Sequence, residues 1–129
     1  WSYMMPLIDG FRKGWALRYL REAKAELTAA QKTPYLASSL ILEAVRKAQA
    51  AVYFSLSDPA SVELIVHDTM QKKQSVEDPI LRCLVEMERT VQLVALTPEA
   101  DRDKALKQAD ELIQIASEVV TLFTGKKAD

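Results

Sequence analysis

Residues Pro34 to Leu56, P-Y-L-A-S-S-L-I-L-E-A-V-R-K-A-Q-A-A-V-Y-F-S-L, constrain this chain most. At helical spacing they are apolar over most of the circumference. Ala37, Ile41, Ala44, Ala48, Ala51 and Ser55 line one face with mainly small side chains, which let a neighbouring helix come close. Leu36, Leu40, Val45, Val52 and Phe54 fill around that face. A helix that is apolar on most sides must be covered on most sides, so this segment belongs at the centre of a helical bundle. One narrow polar strip remains, made of Ser39, Glu43, Arg46 and Lys47. Glu43 stands four residues before Lys47, the favourable order for an ion pair within a helix. Two readings follow. The strip is a self-paired solvated edge, or Glu43, Arg46 and Lys47 form a ligand site facing a groove.

The rest of the chain supplies helices to cover this one. Phe11, Trp15, Tyr19, Ala23, Leu27 and Ala30 recur at three- and four-residue steps, widened by Ala16 and Leu20, and predict helix 1 over about Phe11 to Lys32. Pro6 and Gly10 read as breakers, so residues 1–10 are expected to be an irregular lead-in. Thr33-Pro34 ends helix 1 and starts helix 2, with Thr33 as cap, and the tight link makes the two antiparallel neighbours. Ser57 or Asp58 caps helix 3, over about Pro59 to Lys73, with Val62, Ile65, Val66, Thr69 and Met70 inward. Ser75-Val76-Glu77-Asp78-Pro79 opens helix 4 as a capping-box variant. That helix runs from about Glu77 to Leu96, with Ile80, Leu84, Met87, Val91 and Val94 on its inner line. Thr97-Pro98 opens helix 5, which carries its core line through Ala105, Ala109, Leu112, Ala116, Val119 and Phe123 to a stop at Gly125. The expected fold is all-α, an antiparallel up-and-down bundle of four or five helices in a single domain.

Composition narrows the function. The formal net charge of −1 removes the global polycation footprint of a nucleic-acid binder and leaves only local basic faces. Arg12, Lys13, Arg18, Arg21 and Lys24 form such a cluster on helix 1. It reads as a solvated face with i,i+4 pairs such as Arg18–Glu22, or as a surface for a phosphate-bearing ligand. With one cysteine, Cys83, the chain cannot close an internal disulfide, so a reducing, cytoplasmic setting is expected. No stretch approaches a bilayer span of about 20 apolar residues, and no membrane role is expected. The opening residues W-S-Y-M-M-P-L-I lack the layout of a secretory leader.

Catalytic and metal chemistry finds little support. The single histidine, His67, has Leu64 three places before it, so the Glu-x-x-His pairs of di-iron bundles are missing. His67 with Glu63 four residues earlier reads as a surface pair, and zinc would need more ligands. Cys83 falls at the edge of the helix 4 stripe and reads as packed, with no base or metal partner beside it. Gly-rich phosphate loops are absent. No catalytic residue, metal or cofactor is expected, and a non-enzymatic role is favoured.

Helix 1 and helix 2 resemble the HEPN superfamily of helical nucleotide-binding domains. The residues that carry this are Arg18–Leu27, R-Y-L-R-E-A-K-A-E-L, then Tyr35 and Ala37–Ala51, A-S-S-L-I-L-E-A-V-R-K-A-Q-A-A. Glu43, Lys47 and Ala48 are similar to the small–Glu–basic–Ala run of the family's second helix. Ala109–Phe123 is similar to its last helix. Ribonuclease members carry an Arg, then four to six residues, then a His. Here the nearest preceding arginine to His67 is Arg46, so the resemblance implies a member without that nuclease motif. It further implies a homodimer and a nucleotide or RNA ligand. The expectation from another class is a protein-interaction or self-assembly module, with Tyr53, Phe54 and Leu56 as a dimer seam.

Overall fold

The computed structural model describes residues 5–73 and 75–128, with side chains from residue 10 onward. It is an all-α bundle of five helices: α1 (Met5–Lys32), α2 (Ala37–Leu56), α3 (Pro59–Lys72), α4 (Pro79–Leu96) and α5 (Arg102–Thr124). Short 3-10 turns, Pro34–Leu36 and Glu99–Asp101, precede α2 and α5.

Helix α2 is the centre. It touches each of the other helices and takes most of its cover from α1 and α5. Ala37, Ile41, Ala44, Val45, Ala48, Ala51, Val52 and Tyr53 are buried along it. Ala44, Ala48 and Ala51 lie at complete burial, as a line of small side chains between closely packed helices requires. Helices α1, α2 and α5 form a tight trio, α3 and α4 close the remaining side of α2, and α4 reaches α5. The core of α1 runs through Ala16, Leu20, Ala23, Leu27 and Ala30. Phe11, Trp15 and Tyr19 fall on its flank and stack outward of that core.

The helix starts and stops follow local chemistry, with corrections. Asp58 caps α3, its carboxylate accepting from Ser61 N and Ser61 Oγ. Asp78 caps α4 by accepting from Ile80 N at 2.9 Å and Leu81 N at 3.0 Å. Helix α4 thus begins at Pro79 rather than at Glu77. Two expected caps are not made. Thr33 offers its carbonyl, not its hydroxyl, to Leu36 N at 3.1 Å, closing the 3-10 turn before α2. The Thr97 hydroxyl donates back to Leu93 O at 2.6 Å, so it finishes α4 instead of starting α5.

The described part of the expected lead-in is helical, since α1 extends back to Met5. Pro6 sits in the first turn, where a missing N–H costs nothing. Gly10 weakens a helix without ending it. Residues 1–4 of the lead-in lie outside the described residues.

The far end of α5 also departs from expectation. Val120 and Thr124 are buried, while Phe123 is 44% exposed. The Thr124 hydroxyl donates to Val120 O at 2.6 Å, which lets a polar residue go inward. The chain then turns at Gly125 and lays the buried Ala128 back on the bundle, where Lys24 Nζ donates to its carbonyl at 2.9 Å. Among the described residues no helix is long and apolar enough to cross a membrane.

Candidate functional site

The polar strip of α2 does face a groove. Ser39, Glu43, Arg46 and Lys47 line an open depression of about 410 Å³ together with Tyr19, Leu42 and Ala50. The three sequence-predicted ligand residues are therefore brought together on the outer face shared by α1 and α2, but they do different things.

Lys47 is fully committed. Its ammonium lies 3.0 Å from Glu22 Oε1, 2.5 Å from Glu26 Oε1 and 3.2 Å from Glu43 Oε1. The hydrogen bonds it donates to Glu26 and Glu22 hold its pKa well above the usual lysine range. Arg18 adds a second cation, with Nε 3.0 Å from Glu22 Oε2. Glu22 and Glu43 are held below the ordinary carboxylate value, chiefly by hydrogen bonds from Lys47. Glu26 moves the other way. Burial raises it, and a carboxyl contact with Glu43 adds to that in spite of Lys47. Its second oxygen, Oε2, is shut off from solvent without a donor. A carboxyl so placed holds its proton more tightly than a free one does.

Arg46 is different. It is exposed on the crest of α2 and makes no ion pair within 4.0 Å among the described residues. It also lines a second groove, of about 410 Å³, that runs between α2, α3 and α4. His67, Glu63 and Glu88 are in that groove. His67 is exposed and does not make the expected ion pair with Glu63 among the described residues. Glu88 is held by both Gln49 Nε2 at 2.7 Å and Gln92 Nε2 at 2.9 Å. Gln49 also donates to the Tyr53 hydroxyl at 3.2 Å. Burial, with Glu88 and Glu63 near, pushes Tyr53 up to about 12. Tyr53 is thus an interior residue, 6% exposed, and cannot supply a dimer seam.

Phe54, expected in a dimer seam, packs against rings of its own chain. Its ring stacks on Tyr19 at 5.6 Å and on Trp15 at 6.3 Å between centroids. Phe11 meets Trp15 edge-on at 6.4 Å. The Arg18 guanidinium lies 5.0 Å over the Trp15 ring. Arg12 donates to Phe54 O at 3.2 Å, satisfying a carbonyl near the end of α2. The result is a row of aromatic rings along the α1–α2 face, half-covered by one another and ending in Phe11, which is 69% exposed.

Sequence reading missed Glu22 and Glu26 as partners of Lys47. Their i,i+4 spacing put both on one side of α1, which was a visible signal, but the register between α1 and α2 was needed to aim them. It also missed the row of rings, because Phe11, Trp15 and Tyr19 were placed in the core line. Among the described residues no cluster of three or more acidic, histidine or cysteine side chains could hold a metal ion. Compared with protein-family models, curated proteins and solved structures, the chain matches none.

Proposed function

We propose that this chain is a non-catalytic helical module that pairs with a second copy of itself through the α1–α2 face. The observation that carries this reading is the row Phe11, Trp15, Tyr19 and Phe54 with Arg18 over it. Aromatic rings and arginine are the side chains that most often carry binding energy at protein interfaces. A two-fold pairing of identical faces sets the rings of one copy on the rings of the other, so the face is its own complement and a second copy is the occupant. The HEPN resemblance fits this reading as a paired bundle without the Arg-x4–6-His nuclease motif. Sedimentation velocity across a concentration series tests it. A concentration-dependent dimer that Phe11→Asp abolishes supports the reading, and a monomer at every concentration overturns it.

A second reading, nucleotide or RNA binding, is favoured by Arg46 alone. It is the one charged residue of the strip without an ion pair among the described residues, and it stands between two grooves. The aromatic faces nearby are largely taken by one another, and Lys47 is surrounded by carboxyls, so Glu43 and Lys47 add no phosphate-binding charge. Calorimetric titration with ATP, GTP and a short single-stranded RNA tests this reading. Saturable heat that Arg46→Ala removes supports it, and the absence of heat ends it.

A further inference from the structure

Another groove is on a different side of the bundle from the α1–α2 face. It lies between α4 and α5, has a volume of about 460 Å³, and has an apolar floor of Met87 and Leu112. That volume suits a small molecule. The Thr97–Asp101 connection is short, so α4 and α5 run antiparallel, and the groove is graded from end to end. Pro79, Cys83 and Ile115 belong to one end. Glu86, Thr90, Gln108 and Glu111 belong to the other.

The polar end is rich in acceptors. Gln108 Oε1 is shut off from solvent and no donor of the described chain reaches it. The Thr90 hydroxyl spends its proton on Glu86 O at 3.0 Å, which leaves its oxygen to accept. Glu111 makes no ion pair within 4.0 Å among the described residues. Glu86 pairs with Arg89 at 2.6 Å on the exposed side. The one cation lining the groove, Arg82, is turned to the Val76 carbonyl, which it meets through Nε and Nη2 at 3.2 and 2.9 Å. A buried acceptor without a donor costs free energy that a ligand's N–H would recover.

From this arrangement we infer that the α4–α5 groove binds a small amphipathic amine, its apolar body over Met87, Leu112 and Ile115 and its ammonium among Gln108 Oε1, Thr90 Oγ1 and Glu111. An ammonium brings donors and no acceptor, which matches the Glu111 carboxylate and the acceptor oxygens of Thr90 and Gln108. A carboxylate ligand would meet like charge there. The half-buried Cys83 thiol lines the apolar end, where burial raises its pKa, so it serves as an internal reporter of occupancy.

The test uses three probes of one shape on the intact chain: phenethylamine, 2-phenylethanol and phenylacetate. Their binding is followed by amide chemical shifts in two-dimensional NMR. Phenethylamine is expected to shift amides around Met87, Gln108 and Leu112 and to saturate at a Kd on the order of 1 mM, as befits so small a ligand. The alcohol should bind roughly tenfold more weakly for want of charge, and the carboxylate should not saturate. Glu111→Gln should weaken the amine roughly tenfold and leave the alcohol unchanged. Ile115→Trp, at a position 44% exposed and so open to a larger ring, should fill the groove and abolish both. Iodoacetamide labelling of Cys83 should slow when the amine saturates. Equal affinity for all three probes, shifts confined to other helices, or an amine affinity unchanged in Glu111→Gln would each overturn the assignment.

Discussion

Lys47 Nζ stands 3.0 Å from Glu22 Oε1, a residue of the neighbouring helix. The same ammonium reaches Glu26 on α1 and Glu43 on its own helix, so it pins α1 to α2 on their outer face. It also keeps three carboxyls from repelling one another.

Removing that ammonium should therefore destabilise the bundle more than an ordinary surface lysine does. The side chains of Lys47 and Glu26 are 23% and 18% exposed, so water screens the pairs only in part. Lys47→Met keeps the apolar stem and deletes the charge. It is expected to lower stability by roughly 1–2 kcal/mol, about 4–8 °C in Tm for a chain of this size. Thermal unfolding followed by circular dichroism checks this, with Lys72→Met as the control. Lys72 pairs only with Asp68 among the described residues, and both are about 60% exposed, so its loss should go almost unseen. Equal Tm values for the two variants would sink the structural role given to Lys47.

The carboxyls around Lys47 predict opposite pH dependences. Glu22 and Glu43 have folded pKa values below their unfolded value near 4.5. Their contribution is present above that value and is lost as pH falls through the depressed one. Glu26 has a folded pKa above 4.5, mainly through burial. The folded state holds its proton more tightly than the unfolded chain does. Its contribution is therefore full below 4.5 and is lost as pH rises through the raised value. Glu26→Gln fixes a neutral group in that place and should flatten the decline in stability with rising pH across this window. Urea midpoints taken from the ordinary carboxylate value to neutral pH decide it. Parallel curves for wild type and variant would show that Glu26 ionises normally in the folded chain.

How far the sequence could have led here differs between fold and site. The breaks at Asp58-Pro59 and Asp78-Pro79 were legible because a cap and its proline act over three residues, but only Asp58 was a cap the sequence offered, since Asp78 caps α4 in place of Ser75 of the expected capping box. The central place of α2 was legible because its apolar circumference leaves no other option. Thr33 and Thr97 were not, since a threonine hydroxyl can serve a helix on either side and nothing local decides which. Of the strip, the Glu43–Lys47 pair was readable within one helix. Glu22, Glu26 and the stacking of Phe54 on Tyr19 depend on how α1 slides along α2, and packing of buried Ala23, Ala44 and Ala48 fixes that.

Self-association through the α1–α2 face should respond to its rings rather than to its charges. Phe11 is largely exposed and has no place in the core, so Phe11→Asp should leave Tm within about 1–2 °C of wild type while shifting the dimer to monomer. Raising sodium chloride from about 50 to 500 mM should change association little if the rings carry it, since salt screens charges and not apolar contact. Sedimentation equilibrium reads both effects. Association that survives Phe11→Asp at full strength would move the interface to another face.

Two backbone positions make a prediction of opposite signs. Gly125 ends α5 at φ 74°, and Lys73 ends α3 at φ 54°. Both are left-handed, a region in which a Cβ crowds the following carbonyl. Space is not the issue at Gly125, because an added Cβ would meet nothing within 4 Å. Gly125→Ala should cost roughly 1 kcal/mol from the dihedral angle alone. Lys73 already bears that strain. Lys73→Gly should relieve it and gain up to about 1 kcal/mol, less the entropy that glycine adds to the unfolded chain. Urea denaturation with a common m-value measures both. The pair is informative as a difference: Gly125→Ala should fall below wild type while Lys73→Gly equals or exceeds it. A loss in Lys73→Gly as large as that in Gly125→Ala would mean that α3 does not end in the left-handed turn.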